Sequence, residues 1–410
     1  MHRTKHNESV EVEQFKGSLE MGSSLLELIR GWGRALGFTQ IGVASVDLAH
    51  AERGLLDWLE EGFHGEMQYM QTHGLKRARP AELVPGTLSV ITARMNYLPR
   101  NTQTSEGQWI ENERARLARS GEGVISVYAR GRDYHKVMRK RLEQLAQKIQ
   151  GEVSALGYRV FTDSAPVLEV ELGVQSGLGW RGKHTLLLSR DSGSMFFLGE
   201  IYLNIPLQPT AKEEPHCGTC RSCIDVCPTG AITKPYVLDA RKCISYLTIE
   251  HTGAIPIELR AKIGNHIYGC DDCQTACPWN KYAQSSQVED FDIRDALMPI
   301  PHSSPELKEG LSKGVTQGGA LVDYFSWTSE EFDQKTQGTA IRRIGHERWM
   351  RNVAVAMGNA LANAANETIN NGSLTQSEYT QIEQALINRL GHPSALVVEH
   401  IKWALDQRTK

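Results

Sequence analysis

Apolar residues recur at helical and strand spacing through the first half of the chain. Short apolar runs predict strands at 41–45, 89–93, 158–161, 185–188 and 195–202. Two helical faces consist of residues spaced by three or four: Leu25, Leu28, Ile29, Trp32 and Leu36 in the first, and Tyr134, Val137, Met138, Leu142, Leu145 and Ile149 in the second. Strands that alternate with helices predict an α/β layer up to about residue 210.

The pattern changes twice beyond that point. The stretch 206–215 is rich in proline and charge and reads as a linker, and every cysteine lies between Cys217 and Cys277. After about Pro299 the pattern is purely helical, and the Ala-, Leu- and Asn-rich segment 341–410 fits a small α-solenoid and a plain helical bundle equally well. We therefore predict an α+β multidomain chain with a disordered extension (1–20), an α/β domain (21–210), a cysteine-rich domain (211–298) and a helical domain (299–410).

Composition limits the cellular compartment and the kinds of partner that we expect for the protein. The chain has 410 residues, 40% of them hydrophobic, and a formal net charge of −3, so any contact with nucleic acid must come from a local patch. No apolar run reaches the length of a membrane span, and residues 1–20 lack the apolar middle of a signal peptide. We expect a cytoplasmic protein without a membrane contact. In that reducing compartment, metal ligation is a better default for cysteines than disulfides.

The eight cysteines form one complete motif and one incomplete motif. From Cys217 to Pro228 the chain reads C-x-x-C-x-x-C-x-x-x-C-P, which is the bacterial ferredoxin run. In such a run three close thiolates bind one cubane and the fourth binds the other. The second run, Cys270 to Pro278, lacks one cysteine, and the upstream Cys243 can supply it.

This arrangement predicts two [4Fe–4S] clusters in a ferredoxin-like domain. The predicted ligands are Cys217, Cys220, Cys223 and Cys277 for one cluster, and Cys243, Cys270, Cys273 and Cys227 for the other. The alternative is a pair of four-cysteine zinc sites. Zinc sites usually consist of two separated C-x-x-C knuckles and have no use for a triple run with a crossed fourth ligand.

Several further segments give the chain a family resemblance from about residue 24 to its end. They are His64-Gly-Glu-Met67, Arg77-Ala-Arg-Pro80, Met95-Asn-Tyr-Leu-Pro99, Gly131-Arg-Asp-Tyr-His135, Phe161-Thr-Asp-Ser-Ala-Pro166, Gly177-Leu-Gly-Trp180, Gly182-Lys-His184, Arg241-Lys-Cys-Ile-Ser-Tyr-Leu247 and Ile341-Arg-Arg-Ile-Gly345. With the cysteine block, they resemble the epoxyqueuosine reductases. That family reduces the epoxide of epoxyqueuosine at the tRNA wobble position to give queuosine.

The resemblance implies a fold and a set of cofactors and partners. The α/β domain would bind cobalamin, the ferredoxin-like domain would supply electrons, and the helical tail would be HEAT-like and bind tRNA. We expect a monomer that acts on the anticodon stem-loop of tRNAs with a GUN anticodon and takes electrons from a donor that the sequence does not identify. Cobalamin follows from the resemblance alone, because Asp133-Tyr-His135-Lys-Val-Met138 lacks the glycine of the Asp-x-His-x-x-Gly signature.

The resemblance also implies site residues. The family's proton donor falls on Asp163, and such an acid would need a raised pKa, which a closed apolar pocket can supply. Asp133 is the competing acid, although its place before a helix also suits an N-cap. The residues expected to contact cobalamin are Arg77, Asp163, Ser245, Cys270 and Asp271. Relatives usually carry Arg where this chain has Val170, so any tRNA contact made by that Arg must be made differently here.

Two basic stretches are candidate tRNA surfaces. Between residues 111 and 150 the chain has five more basic than acidic residues, including Arg116, Arg130, Arg139 and Arg141, and phosphates favour such a surface. The second stretch consists of Arg342, Arg343, His346, Arg348 and Arg351. A solvated helix face would look similar in sequence.

Two other functions remain open from the sequence. A reductive dehalogenase would also pair two clusters with cobalamin, but the basic stretches, the helical tail and the lack of an export signal argue against it. A non-catalytic electron carrier would have no use for a large α/β domain with its own Asp motif.

Overall fold

The computed structural model describes residues 24–100, 107–298, 320–365 and 374–409, so the predicted extension 1–20 lies outside the described residues. The strands are β1 (Gln40–Ala44), β2 (Ser89–Asn96), β3 (Val124–Ile125), β4 (Tyr158–Thr162), β5 (Trp180–Arg181), β6 (Leu187–Leu188), β7 (Phe196–Leu203), β8 (Ile232–Lys234), β9 (Val237–Leu238) and β10 (His266–Tyr268).

Helices fall between the strands and make up the described C-terminal part. They are α1 (24–35), α2 (Ala49–Glu60), α3 (Tyr69–Thr72), α4 (Pro80–Leu83), α5 (Gln108–Leu117), α6 (Tyr134–Glu152), α7 (Glu169–Gln175), α8 (Ser222–Asp225), α9 (Ile244–Ile249), α10 (Ile257–Arg260), α11 (Asp272–Thr275), α12 (Leu321–Ser326), α13 (Ser329–Thr336), α14 (Gly345–Ala365), α15 (Gln376–Asn388) and α16 (Ala395–Asp406). No described helix is long and apolar enough to cross a membrane.

The main sheet has four strands in the order β1-β2-β7-β4, and every neighbouring pair is antiparallel. An α/β domain has a mostly parallel sheet. The prediction of an α/β layer is therefore wrong in strand direction, and this part of the chain is α+β. Alternation in sequence shows that helices separate the strands, but a helical connection can return the next strand in either direction. The two central strands, β2 and β7, are buried along their whole length, as expected for strands covered on both faces.

Helix α6 covers one face of this sheet. Its apolar residues Val137, Met138 and Leu142 pack with Met95 and Phe197 of the two central strands. The helix begins where Asp133 accepts a hydrogen bond from the backbone N–H of His135 at 3.2 Å. The helical face predicted from Tyr134 to Ile149 is thus confirmed, and Asp133 caps its N-terminus.

The predicted linker 206–215 lies against the free edge of the sheet. The backbone N–H of Thr210 donates to the carbonyl of Val43 at 2.9 Å, and the N–H of Val43 donates to Thr210 Oγ1 at 2.9 Å. These bonds pair backbone groups of β1 that an edge strand would otherwise leave open. The linker therefore holds the start of the cysteine-rich segment close to the sheet.

The cysteine-rich segment is joined to the earlier part of the chain by a pair of strands. β10 pairs in parallel with β3, and the Tyr268 hydroxyl donates to the carbonyl of Ala340 at 3.1 Å. Ile125 and Ile267 share one apolar core with Trp349 of the C-terminal helices. The cores therefore continue across the predicted boundaries at 210 and 298.

Helix α14 is the centre of the C-terminal part. Helices α12, α13, α15 and α16 all contact it, and Trp349, Val353 and Leu361 of α14 are completely buried. A HEAT-like repeat remains a prediction, since the described helices surround α14 as in a small bundle.

Candidate active site and cluster ligands

Four cysteines line a cavity of about 340 Å³ between the main sheet and the cysteine-rich segment. They are Cys227, Cys243, Cys270 and Cys273, the four that the sequence assigns to the second cluster. The facing wall contains the apolar side chains Phe196, Phe197, Leu198 and Val170, together with Asp163. A carboxylate and four thiols therefore meet in one apolar cavity.

The other four cysteines line a smaller cavity of about 50 Å³. They are Cys217, Cys220, Cys223 and Cys277, the four assigned to the first cluster. Cys220 is exposed to solvent, whereas Cys223 and Cys277 are buried. The structure thus brings the cysteines together in the two predicted groups.

The donor set suits iron–sulfur clusters. All eight cysteines are free thiols. Burial raises the pKa of the Cys270 and Cys273 thiols well above the usual range, and burial also raises the pKa of Cys243. Buried thiolates of this kind are stable only beside a cation, and cluster iron supplies that charge.

Asp163 follows the end of β4 and receives two side-chain contacts from the start of α6. The Tyr134 hydroxyl donates to Asp163 Oδ2, and His135 Nε2 lies 3.3 Å from the same oxygen. The other ring nitrogen of His135, Nδ1, lies 2.9 Å from Asp133 Oδ1. The two competing acids are therefore joined through one histidine, with Asp163 on the side of the cavity.

The pKa of Asp163 differs from the prediction. Burial raises it, but hydrogen bonds from His135 and Tyr134 outweigh burial and lower the pKa below its ordinary value. Burial lowers the pKa of His135, yet its bonds to Asp133 and Asp163 raise the pKa to about 9. These contacts lower the pKa of Asp163 where the sequence led us to expect a raised one, and at neutral pH the shared proton is on His135.

The expected cobalamin contacts divide into two groups. Ser245, Cys270 and Asp271 lie in the wall of the large cavity. Arg77 does not line it, because its buried guanidinium donates to the carbonyls of Met70 at 3.1 Å and Tyr69 at 2.6 Å. Arg77 therefore holds α3, and its contact with cobalamin stays a prediction.

Asp271 has a structural task as well as its place in the wall. Its carboxylate accepts a hydrogen bond from the Ser126 hydroxyl and another from the backbone N–H of Val127 at 2.8 Å. These bonds tie the loop of Cys270 and Cys273 to the segment beside β3.

Parts of both basic stretches are unavailable to tRNA. Arg130 and Arg116 are buried and pair with the carboxylates of Glu113 and Glu122. Arg351 is also buried, and its guanidinium donates to the carbonyls of His251, Gly253 and Leu247 at 2.7–2.8 Å. The interpretation of these three arginines as phosphate contacts is wrong. Arg139 and Lys140 of α6 remain exposed.

Comparisons with known proteins now identify the family. The model described as "Epoxyqueuosine reductase QueG, DUF1730" matches residues 77–164, and the "4Fe-4S double cluster binding domain" model matches residues 216–280. The epoxyqueuosine reductase of Alicycliphilus denitrificans is 57% identical, over 94% of this chain and 98% of its own length. That of Burkholderia pseudomallei is 53% identical, over 93% of this chain and 92% of its own.

The chain belongs to the epoxyqueuosine reductase family. A crystal structure of an epoxyqueuosine reductase with a tRNA-Tyr epoxyqueuosine-modified stem loop has the same fold, with a TM-score of 0.72 and 22% identity, over 95% of this chain and 100% of that one. As a member of the family, the chain is an oxidoreductase whose cofactors are two [4Fe–4S] clusters and cobalamin. The aromatic and aliphatic side chains of the large cavity, among them Phe196, Phe197 and Leu198, suit contact with a broad macrocycle such as that of cobalamin.

Sequence reasoning missed three groups around the reductase's Asp163. His135 stands two positions after Asp133 in the first turn of α6, and the motif gave no sign that its ring turns back to Asp163. Glu169 lines the cavity, and burial together with the charge of Asp163 raises its pKa well above the usual range. Burial and Asp163 also raise the pKa of Glu200, in the centre of β7, to about 8. Both glutamates therefore keep a proton to higher pH than an ordinary carboxyl group does.

We expect the stability of the chain to depend on the charge of His135. A raised pKa means that the charged ring stabilises the fold fully below its ordinary value of 6.5 and that this stabilisation is lost as pH rises through about 9. At about 1.4 kcal/mol per pKa unit, less some solvent screening, the free energy of unfolding should fall by about 2–3 kcal/mol over that range.

The measurement is chemical denaturation of the wild type and of His135→Gln between pH 6 and 10. The variant should lose this part of the pH dependence. His50→Gln is the matched control, because His50 is exposed and lies 3.4 Å from Glu171. Equal pH dependence in His135→Gln and the wild type would show that the ring contributes no such charge.

Proposed function

We propose that this chain reduces the epoxide of epoxyqueuosine at the wobble position of tRNA to the alkene of queuosine, with Asp163 as the proton donor. The observation that carries the proposal is that Asp163 and the four cysteines of the second set line one cavity. Conversion of an epoxide to an alkene consumes two electrons and two protons and releases water. One wall of the cavity would supply the electrons and the other the protons.

The two sets of cysteines would carry out different steps of the electron transfer, according to their positions. We assign the outer cluster to Cys217, Cys220, Cys223 and Cys277, and the inner cluster to Cys227, Cys243, Cys270 and Cys273. The exposure of Cys220 supports entry of electrons at the outer set, and the place of the inner set in the cavity supports their delivery there. When bound in the cavity, cobalamin supplies the low-potential centre through which the electrons reach the substrate.

The proton comes from a pair of residues and not from Asp163 alone. The side chain of Asp163 is 50% exposed, and a cavity filled with cofactor and substrate would exclude the water around it. Loss of that water raises the pKa of a carboxylate. The proton held by His135 would then pass to Asp163 Oδ2, 3.3 Å away, and from Asp163 to the reacting group.

A second proton is available nearby. Glu169 lines the same cavity, and burial together with the charge of Asp163 raises its pKa well above the usual range. We assign Glu169 as the source that restores the proton on Asp163. The two protons that the reaction consumes would thus be stored before the substrate arrives.

The exposed basic face of α6 is the proposed tRNA surface. Arg139 and Lys140 are exposed on the helix whose first turn holds His135. Phosphates bound along this helix would place a nucleotide of the same stem-loop near the cavity. Arg141 contributes less, because its guanidinium donates to the carbonyl of Leu36 at 2.6 Å.

Removal of the proton donor should slow the reaction strongly without weakening the binding of tRNA. We expect Asp163→Asn to lower kcat by about 10²–10⁴-fold, the usual contribution of a positioned acid, while the KM for tRNA changes little. Single-turnover reduction of epoxyqueuosine in tRNA measures the rate.

Two other substitutions are needed to interpret that result, one as a control and one as a test of the competing acid. Asp57→Asn, at an exposed ion pair on α2, is the matched control and should keep full activity. Asp133→Asn tests the competing acid. Full activity in Asp163→Asn together with a large loss in Asp133→Asn would reverse the assignment.

The proposed ligand sets predict iron content. The anaerobically reconstituted wild type should hold about eight iron atoms per chain, and Cys243→Ser should hold about four, because only the inner cluster loses a ligand. Iron analysis with electron paramagnetic resonance of the reduced protein measures both. Ser245→Ala, two residues away in the same wall, should keep about eight. A Cys243→Ser protein with the full iron content would exclude Cys243 as a ligand.

The tRNA surface predicts a salt-dependent loss of affinity. The double variant Arg139→Glu/Lys140→Glu should raise the Kd for an anticodon stem-loop and reduce the slope of log Kd against log salt by about two, one for each lost phosphate contact. Lys402→Glu, an exposed lysine on α16, is the control. An unchanged Kd and slope in the double variant would remove α6 from the interface.

A further inference from the structure

The hairpin formed by β5 and β6 reaches between the two groups of cysteines. Its turn is closed by the N–H of Gly182, which donates to the carbonyl of Leu186 at 2.8 Å, and by the N–H of Thr185, which donates to the carbonyl of Gly182 at 2.9 Å. His184 stands at the tip of this turn and is 3% exposed. A Cβ on residue 182 would lie 2.7 Å from His184 Cε1, so glycine there leaves room for the ring.

The tip is fixed to both cysteine groups. Lys183 Nζ donates to the carbonyls of Gly218 and Cys220, each at 2.7 Å, in the loop of the outer set. The carbonyl of Lys183 accepts from the N–H of Tyr236 at 3.0 Å, in the hairpin of β8 and β9 that follows Cys227 of the inner set. These bonds determine the position of the residue that comes next.

His184 lines both the large cavity and the small one. Its Nδ1 accepts a hydrogen bond from the N–H of Leu186 at 3.2 Å. A ring nitrogen that accepts a hydrogen bond carries no proton, so the proton of the neutral ring is on Nε2. That Nε2 is buried and has no hydrogen-bond partner in the described part of the chain.

A buried N–H without a partner calls for an explanation, because most buried donors are paired. A core histidine with a purely structural role would bond through both nitrogens. Here Nδ1 is held by the turn, Nε2 is buried without a partner, and the residue lines the cavities of both sets of cluster ligands. The missing acceptor is therefore expected among the sulfur atoms of the clusters.

We propose that the Nε2–H of His184, in the wall between the two clusters, donates a hydrogen bond to a sulfur of one of them. Through the reduction potential of that cluster, His184 would affect electron transfer from the outer cluster to the inner one. The inference rests on the cluster ligands assigned under the proposed function. A donor to cluster sulfur stabilises the extra negative charge of the reduced state and raises the reduction potential of that cluster. In this step one electron passes from the outer cluster, which is oxidised, to the inner cluster, which is reduced, and no bond is formed or broken.

The test compares His184→Leu with His184→Gln in the anaerobically reconstituted full chain. Both should keep about eight iron atoms, because His184 is not a ligand. In a redox titration followed by electron paramagnetic resonance, His184→Leu should lower the midpoint potential of one cluster, and His184→Gln, which keeps an N–H donor, should restore most of the shift. His50→Leu, at an exposed histidine, should leave both potentials unchanged.

A second measurement remains valid if His184→Leu fails to fold. With ¹⁵N-labelled histidine, pulsed resonance of the reduced clusters should detect a histidine-nitrogen hyperfine coupling in the wild type that is lost in His184→Gln. The comparison is needed because His216 lines the small cavity and His266 Nε2 lies 3.9 Å from Cys270 Sγ. Absence of that coupling, or unchanged potentials in His184→Leu with intact clusters, would overturn the inference. Failure of the ligand assignment would look different, because Cys243→Ser would then keep the full iron content while the wild-type clusters still titrate.

Discussion

The structure depends on bringing thiolates from separate segments to one point. The inner set takes Cys227 from the segment after α8, Cys243 from the start of α9, Cys270 from the loop after β10 and Cys273 from α11. Only the last two of these segments are adjacent in sequence, so contacts elsewhere must hold the others in place. The most direct is the side chain of Asn352 on α14, whose Nδ2 donates to the carbonyls of Thr248 at 2.8 Å and Ile267 at 3.0 Å. One amide thereby joins the helix that follows Cys243 to the strand that precedes Cys270.

The segments that carry the cluster ligands must be held in place, and this explains why the C-terminal part contains a buried charged side chain. Arg351 is buried beside Asn352 and donates to backbone carbonyls between Leu247 and Gly253. A buried guanidinium is costly unless its donors are paired, and here they are paired with the carbonyls of the loop it supports. Burial lowers the pKa of Arg351 to about 10, which still leaves the side chain charged at neutral pH. The helical tail thus supports the cluster loops directly, whatever its contacts with RNA.

Sequence reasoning succeeded where one short motif carries the information. Cysteine spacing predicted the two groups that the cavities contain, and short apolar runs and helical spacing located β2, β7 and α6. It failed where the result depends on residues far apart in the chain. The direction of the sheet strands, the burial of Arg351 and the turning of Arg77 toward α3 are all set by tertiary packing that composition does not encode. The lowered pKa of Asp163 belongs to the same class, because it requires the ring of His135, 28 positions earlier, to be within 3.3 Å.

The two cysteine groups also differ in how they meet the solvent. Cys220 of the outer set is exposed, whereas Cys270 and Cys273 lie inside a cavity that cobalamin would close. Dioxygen arriving from the solvent therefore reaches the outer sulfurs first. With the proposed ligand sets, the exposure that favours the entry of electrons would also make the outer cluster the first to meet dioxygen, and bound cobalamin would shield the inner one.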